Sequence, residues 1–203
     1  AGVDQSITLP TNSTTLDGSG SADPDGTITN YAWVKISGPV GGTISNPSSV
    51  TTTVTGLSQG VYQFELTVTD NDGAIDKDTM QITVNAAPNV PPTANAGIDQ
   101  SITLPTSSTT LDGSGSADPD GTITNYAWVK IAGPVNGTIT NPSSVTTTVT
   151  GLSQGVYLFE LTVTDNDGAI DIDTMQITVN AAPNVPPTAN AGIDQVITLP
   201  TSS

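Results

Sequence analysis

Two short acidic runs hold most of the chemistry that this sequence offers. Asp118-Pro119-Asp120-Gly121 and Asp165-Asn166-Asp167-Gly168 each place two carboxylates two residues apart beside a glycine. Earlier in the chain, Asp23 and Asp25 stand in a first copy of one run, and Asp70 and Asp72 in a first copy of the other. Hard oxygen donors on glycine-containing loops suit Ca²⁺, which takes roughly six to eight oxygens at about 2.3–2.6 Å. Mg²⁺ suits them less, because it demands near-octahedral geometry. The competing reading is local: both runs are ordinary turns, in which aspartates cap backbone amides and glycine supplies positive φ. That explains either turn alone. Four carboxylates gathered in one small region would repel by about 1 kcal/mol per close pair in water, a conflict that a bound divalent ion removes.

Other chemistry has little to work with. The sequence has no histidine, no cysteine and no glycine-rich phosphate loop, and its serines have no base beside them. Paired acids of glycosidase type occur only in the turns, which lack the apolar setting that raises one pKa. A non-enzymatic protein is expected. Nineteen acidic residues against three lysines give a formal charge of −16, so partners presenting phosphates are disfavoured and no nucleic acid partner is expected. No apolar run approaches the ~18 residues that span a bilayer, so no membrane insertion is expected, and any targeting signal should lie upstream of this stretch.

The elements that position these turns follow from an internal repeat. Displaced by 95 positions, Asp4 falls on Asp99 and then on Asp194. Residues 1–95 and 96–190 differ only at Val3/Ile98, Asn12/Ser107, Ser37/Ala132, Gly41/Asn136, Ser45/Thr140, Gln63/Leu158 and Lys77/Ile172. That period is long enough for a domain enclosing its own core, unlike a solenoid unit. The organisation read from the sequence is a domain over 1–87, a proline-rich linker over 88–95, a second domain over 96–182, a second linker over 183–190, and the start of a third copy over 191–203. Threonine and valine abound, and aspartate prefers loops to strand interiors, so the class is all-β. Seven short strands are predicted in each copy, in the first over 5–9, 13–16, 27–36, 43–45, 50–55, 61–69 and 79–84. Their number and spacing suit an immunoglobulin-like two-sheet β-sandwich, with an up-and-down barrel as the alternative. In that topology the domain entry and both acidic turns share one end, which gathers Asn89, Asp118, Asp120, Asp165 and Asp167. Trp33 is placed as a core tryptophan, and Leu57-Ser58-Gln59-Gly60-Val61-Tyr62 reads as a tyrosine corner. If Trp33 points inward then so should Lys35, which calls for either a β-bulge or pairing of Lys35 with Glu65.

Spaced motifs carry a family likeness. Pro92-Thr93-Ala94, Asp112-Gly113-Ser114-Gly115-Ser116, Asp118-Pro119-Asp120-Gly121, Tyr126-Ala127-Trp128, Gly155-Val156-Tyr157 and Leu161-Thr162-Val163-Thr164-Asp165-Asn166-Asp167-Gly168 follow one another in an order that resembles the PKD (polycystic kidney disease) repeat domain. The likeness spans the whole 95-residue unit and occurs twice. Many members of that family follow the tryptophan with an Asp-Phe-Gly-Asp-Gly run. Here Val129-Lys130-Ile131-Ala132-Gly133-Pro134 stands instead, which looks like the variant found in repetitive bacterial surface proteins. The resemblance implies an extracellular or cell-surface location, and calcium at the entry and turns of some members. Asn89 reaching such an ion would clamp the linker onto the domain that follows it.

Repetition favours a structural spacer or adhesion module of a surface adhesin or filament, whose partners are neighbouring repeats. The alternative is an accessory module of a secreted hydrolase, gripping surface polysaccharide or protein. Asn12-Ser13-Thr14 and Asn136-Gly137-Thr138 match a glycosylation acceptor pattern that chance produces often in threonine-rich chains. Residues 196–199 correspond to a first strand with no domain to join, and pairing with a neighbouring chain's edge is one expected fate.

Overall fold

A computed structural model describes residues 1–200. No helix occurs among them, and the chain divides into two compact units, Ala1–Pro88 and the stretch from Asn89 onward.

The first unit contains β1 (Gln5–Thr8), β2 (Thr14–Asp17), β3 (Ile28–Ser37), β4 (Thr43–Ile44), β5 (Thr51–Thr55), β6 (Gly60–Asp70) and β7 (Ile75–Asn85). They form two sheets, ordered β1-β7-β6-β3 and β2-β5-β4. All pairs are antiparallel except β1 on β7, where Gln5 stands opposite Ile82. The second unit repeats this with β8 (Gln100–Thr103), β9 (Thr109–Asp112), β10 (Ile123–Ala132), β11 (Thr138–Ile139), β12 (Thr146–Thr150), β13 (Gly155–Asp165) and β14 (Ile170–Asn180). A β-sandwich, not a closed barrel, is the architecture of both.

Period-two alternation explains each core. Along β6, Tyr62, Phe64 and Leu66 turn inward and are buried, while Gln63 and Glu65 face away. Leu16, Trp33, Val54, Met80, Ile82 and Val84 close on them from both sheets, and the equivalent residues do so in the second unit. The tyrosine corner forms: the Ser58 amide donates to the Tyr62 hydroxyl at 2.9 Å, and the Ser153 amide to that of Tyr157 at 3.0 Å. Trp33 is buried with its indole Nε1 donating to Ser49 O at 3.1 Å, which satisfies the one polar group of its ring.

Lys35 does not pair with Glu65; Lys77 takes that partner at 2.7 Å. Lys35 follows Trp33 inward, sets its Nζ over the Tyr62 ring 5.3 Å from the centroid, and donates to Pro39 O and Gly41 O at 2.6 and 2.7 Å. A register shift between Lys35 and Ser37 accompanies this, and Val34 and Ile36 are left outside, 54% and 48% exposed. Backbone carbonyls and an aromatic face thus replace the expected carboxylate as the partners of this charge.

The seventh strand is longer than predicted, beginning at Ile75, not Thr79. Asp76 and Asp78 suggest a loop by propensity, yet the backbone there is paired with Val68 and Leu66. At the other end of the chain, Val196, Ile197 and Leu199 are exposed and outside any strand, and residues 201–203 of the expected third copy lie outside the described residues.

Candidate functional site: the acidic entry of the sandwich

Asp165 ends β13 and is only 2% exposed. Its Oδ1 accepts the amides of Asp167 and Ala169 at 2.9 and 2.8 Å, which closes the Asp-Asn-Asp-Gly turn. Its Oδ2 accepts Asn89 Nδ2 at 2.8 Å. The Asn89 amide, followed by the turn amides, holds the Asp165 carboxyl below the usual carboxylate range, and burial only partly opposes them. Asp120 takes the Val90 amide at 3.1 and 3.3 Å. Asp167 accepts from Asn166 Nδ2 at 2.8 Å. Asp118 Oδ1 accepts the Asp120 amide at 3.4 Å, while its Oδ2 is buried without a partner. Asn166 Oδ1 accepts the Thr122 amide at 2.7 Å and crosses tightly over Gly121, where an added Cβ would lie 2.1 Å from that oxygen and 2.7 Å from Asp118 Oδ2. Glycine is required there by close approach.

Two aspartates that the sequence reading passed over belong to the same site. Asp171 and Asp173, alternate residues of β14, accept the amides of Ala94 and Ala96, each at 2.8 Å. Thr93 pairs with Ala117 through two backbone bonds of 2.7 and 3.0 Å. Residues 89–96 therefore lie along the sandwich they precede, fastened by carboxylates from both turns and from β14. The signal available in the sequence was the Asp-x-Asp alternation at the start of that strand, which puts both carboxylates on one face.

In the first unit Asp70 Oδ1 accepts the amides of Asp72 and Ala74, each at 2.8 Å, and Asp23 Oδ1 that of Asp25 at 3.4 Å. Burial raises the Asp23 carboxyl, and the charges of Asp25 and Asp70 act in the same direction.

The donor set does not fit calcium as it stands. No group of three acidic side chains among the described residues converges on one point. Asn89 turns its Nδ2 donor, not its carbonyl, toward Asp165. The orphaned Asp118 Oδ2, with Asn166 Oδ1 beside it, supplies two oxygens where Ca²⁺ takes about six or more. In the second unit amide donors meet the carboxylates of Asp120 and Asp165 instead.

The family described as K319L-like, PKD domain matches residues 1–84 and, again, residues 96–179. The chain belongs to that family. These two PKD domains are 42% identical, over 204 aligned residues, to the Dyslexia-associated protein KIAA0319-like protein of Mus musculus, an alignment that covers 98% of this chain and 19% of the relative. Against the Dyslexia-associated protein KIAA0319 of Homo sapiens the identity is 41%, covering 90% of this chain and 17% of that one. The chain thus spans about a fifth of the length of the curated relatives it matches. The solution structure of the PKD domain from KIAA 1837 protein is 40% identical with a TM-score of 0.43, covering 48% of this chain and 92% of that domain. Both PKD copies keep the tryptophan, the tyrosine corner and the acidic turns in place.

Proposed function

We propose that this tandem pair of PKD domains is a non-catalytic structural and adhesion module of a secreted or cell-surface protein. The observation that carries the reading is repetition of a closed unit: two nearly identical copies each enclose their own core. A chain built this way gains length and contact surface by adding copies, whereas catalysis gains nothing from a second copy of a site without acid, base or nucleophile. The polar groups at the entry are engaged in holding backbone, which is a mechanical task. Of the eight aromatic residues, six are buried and Tyr31 and Tyr126 pack half-buried against the cores, so no aromatic platform for a sugar ring stands on either sheet. Neighbouring repeats are the partners this reading supplies, with surface protein or polysaccharide as further ones.

Single-molecule stretching tests it. Two separate unfolding events are expected, each releasing about 300 Å of contour for a domain of this size at ~3.5 Å per residue. One merged event, or turnover of a glycan or peptide substrate by the purified chain, would overturn the proposal.

A further inference from the structure

Asn136-Gly137 is the single Asn-Gly pair of the sequence, and it belongs to the second unit alone, because Gly41-Gly42 stands at the equivalent place in the first. The difference reshapes the loop between β10 and β11. Gly41 has φ +99°, and a Cβ added to it would lie 2.4 Å from Gly56 O. Asn136 carries that Cβ and does not share the positive φ. Where the Gly42 amide donates to Gly56 O at 3.2 Å, the Gly137 amide finds no acceptor among the described residues. Gly137 keeps φ +94°, and a Cβ there would meet Leu152 and Tyr157 at 3.0 and 3.2 Å, so the position calls for glycine.

The backbone nitrogen that follows an asparagine can attack its side-chain carbon, and glycine, with no Cβ, leaves that approach open. Both partners of this ring closure are met by donors in the second unit. Lys130 Nζ donates to Asn136 O at 2.7 Å. That oxygen belongs to the same peptide group as Gly137 N, so the ammonium stabilises the negative charge the group takes on when its nitrogen gives up a proton. The Ser153 and Tyr157 hydroxyls donate to Asn136 Oδ1 at 3.0 and 3.1 Å. This is the oxygen on which charge develops as Cγ becomes tetrahedral. Asn136 is exposed, so water reaches it.

We propose that Asn136 is a site of self-modification, at which the second unit deamidates itself through a cyclic imide. Gly137 N yields its proton to solvent hydroxide and bonds to Asn136 Cγ. The Cγ–Nδ2 bond breaks, and Nδ2 takes a proton from water and leaves as ammonia. Water then opens the ring at either carbonyl. One opening leaves an aspartate in an unchanged main chain, and the other an isoaspartate whose main chain runs through Cβ and Cγ. Either product adds one negative charge near Lys130. The first unit, with glycine at the matching place, is spared, so two copies of one fold age differently.

Peptide mapping by mass spectrometry after incubation of the purified 203-residue chain near neutral pH tests this. The amide-to-acid mass shift is expected at Asn136, in aspartyl and isoaspartyl forms, and faster in the folded chain than in the same chain held unfolded in guanidinium chloride. Asn136→Gly, which restores the residue of the first unit, should abolish it. Ser153→Ala should slow it about fivefold, the share of one neutral hydrogen bond in the barrier. Lys130→Gln should slow it about tenfold or more, because the donor lost is charged. Melting temperatures establish that each variant is folded. Donors that merely restrained the side chain would give the opposite sign, since freeing it would speed the attack. A folded chain left unmodified at Asn136, or modified no faster than the unfolded one, would overturn the proposal. So would a folded Ser153→Ala variant that reacts as fast as the parent or faster.

Discussion

A carboxylate at the end of a strand can serve a turn or serve a partner, and Asp165 does both with separate oxygens. Its pKa lies below the ordinary value, with the Asn89 amide as the largest cause. The sign follows: a depressed acid stabilises the fold above the unfolded pKa of about 3.9, and that contribution is lost as pH falls through the lower folded value. Asn89→Ala removes the main cause, so acid unfolding of the second unit is expected to begin at higher pH. Denaturant titrations followed at Trp128 in a Trp33→Phe background would measure it, and an unchanged acid limb would show that Asn89 contributes nothing. At this scale the sequence was informative about residue type and silent about partner. Aspartates spaced by two beside glycine announced turns, and turns they are. What the carboxylates face was hidden, because Ala94, Ala96 and Val90 approach them with backbone amides, which every residue but proline carries.

At the scale of elements, the corner before the sixth strand gives a quantitative comparison. The Tyr157 hydroxyl accepts from Ser153 N and donates to Asn136 Oδ1 at 3.1 Å; the first unit has Gly41 in place of Asn136, so the Tyr62 hydroxyl lacks that acceptor. Tyr157→Phe is expected to cost its unit about 1–2 kcal/mol, more than Tyr62→Phe costs the other. Equal losses in chemical denaturation would mean that the Asn136 bond carries no stability. Strand positions were legible because alternation in Tyr62, Phe64 and Leu66 leaves one face for the core. Lys35 was not, since its partners are carbonyls of a following loop, brought within reach only once the strand shifts register. The start of the seventh strand was missed for a related reason: tertiary pairing with the sixth strand overrides the weak propensity of Asp76 and Asp78.

For the molecule as a whole, hydrogen bonds answer part of the electrostatic problem that the sequence posed: they serve Asp120 and Asp165 in the second unit, while the charges of Asp25 and Asp70 still bear on Asp23 in the first. Because neither entry gathers the roughly six or more oxygens that Ca²⁺ takes, adding millimolar Ca²⁺ after chelation is expected to leave the thermal unfolding of both units unchanged. A rise in melting temperature confined to the second unit would instead mean that Asn89 and the turns rearrange around an ion. The seat of residues 89–96 has one more consequence, which concerns phase. The repeat counted from Ala1 and the piece that closes a complete sandwich share a period of 95 but start at different residues, the latter at Asn89. Gain or loss of whole periods, wherever the splice falls, leaves an internal sandwich joined to the heptapeptide that fastens it. An excision a few residues short would separate a sandwich from its own fastening, so repeat number can vary freely only in whole steps.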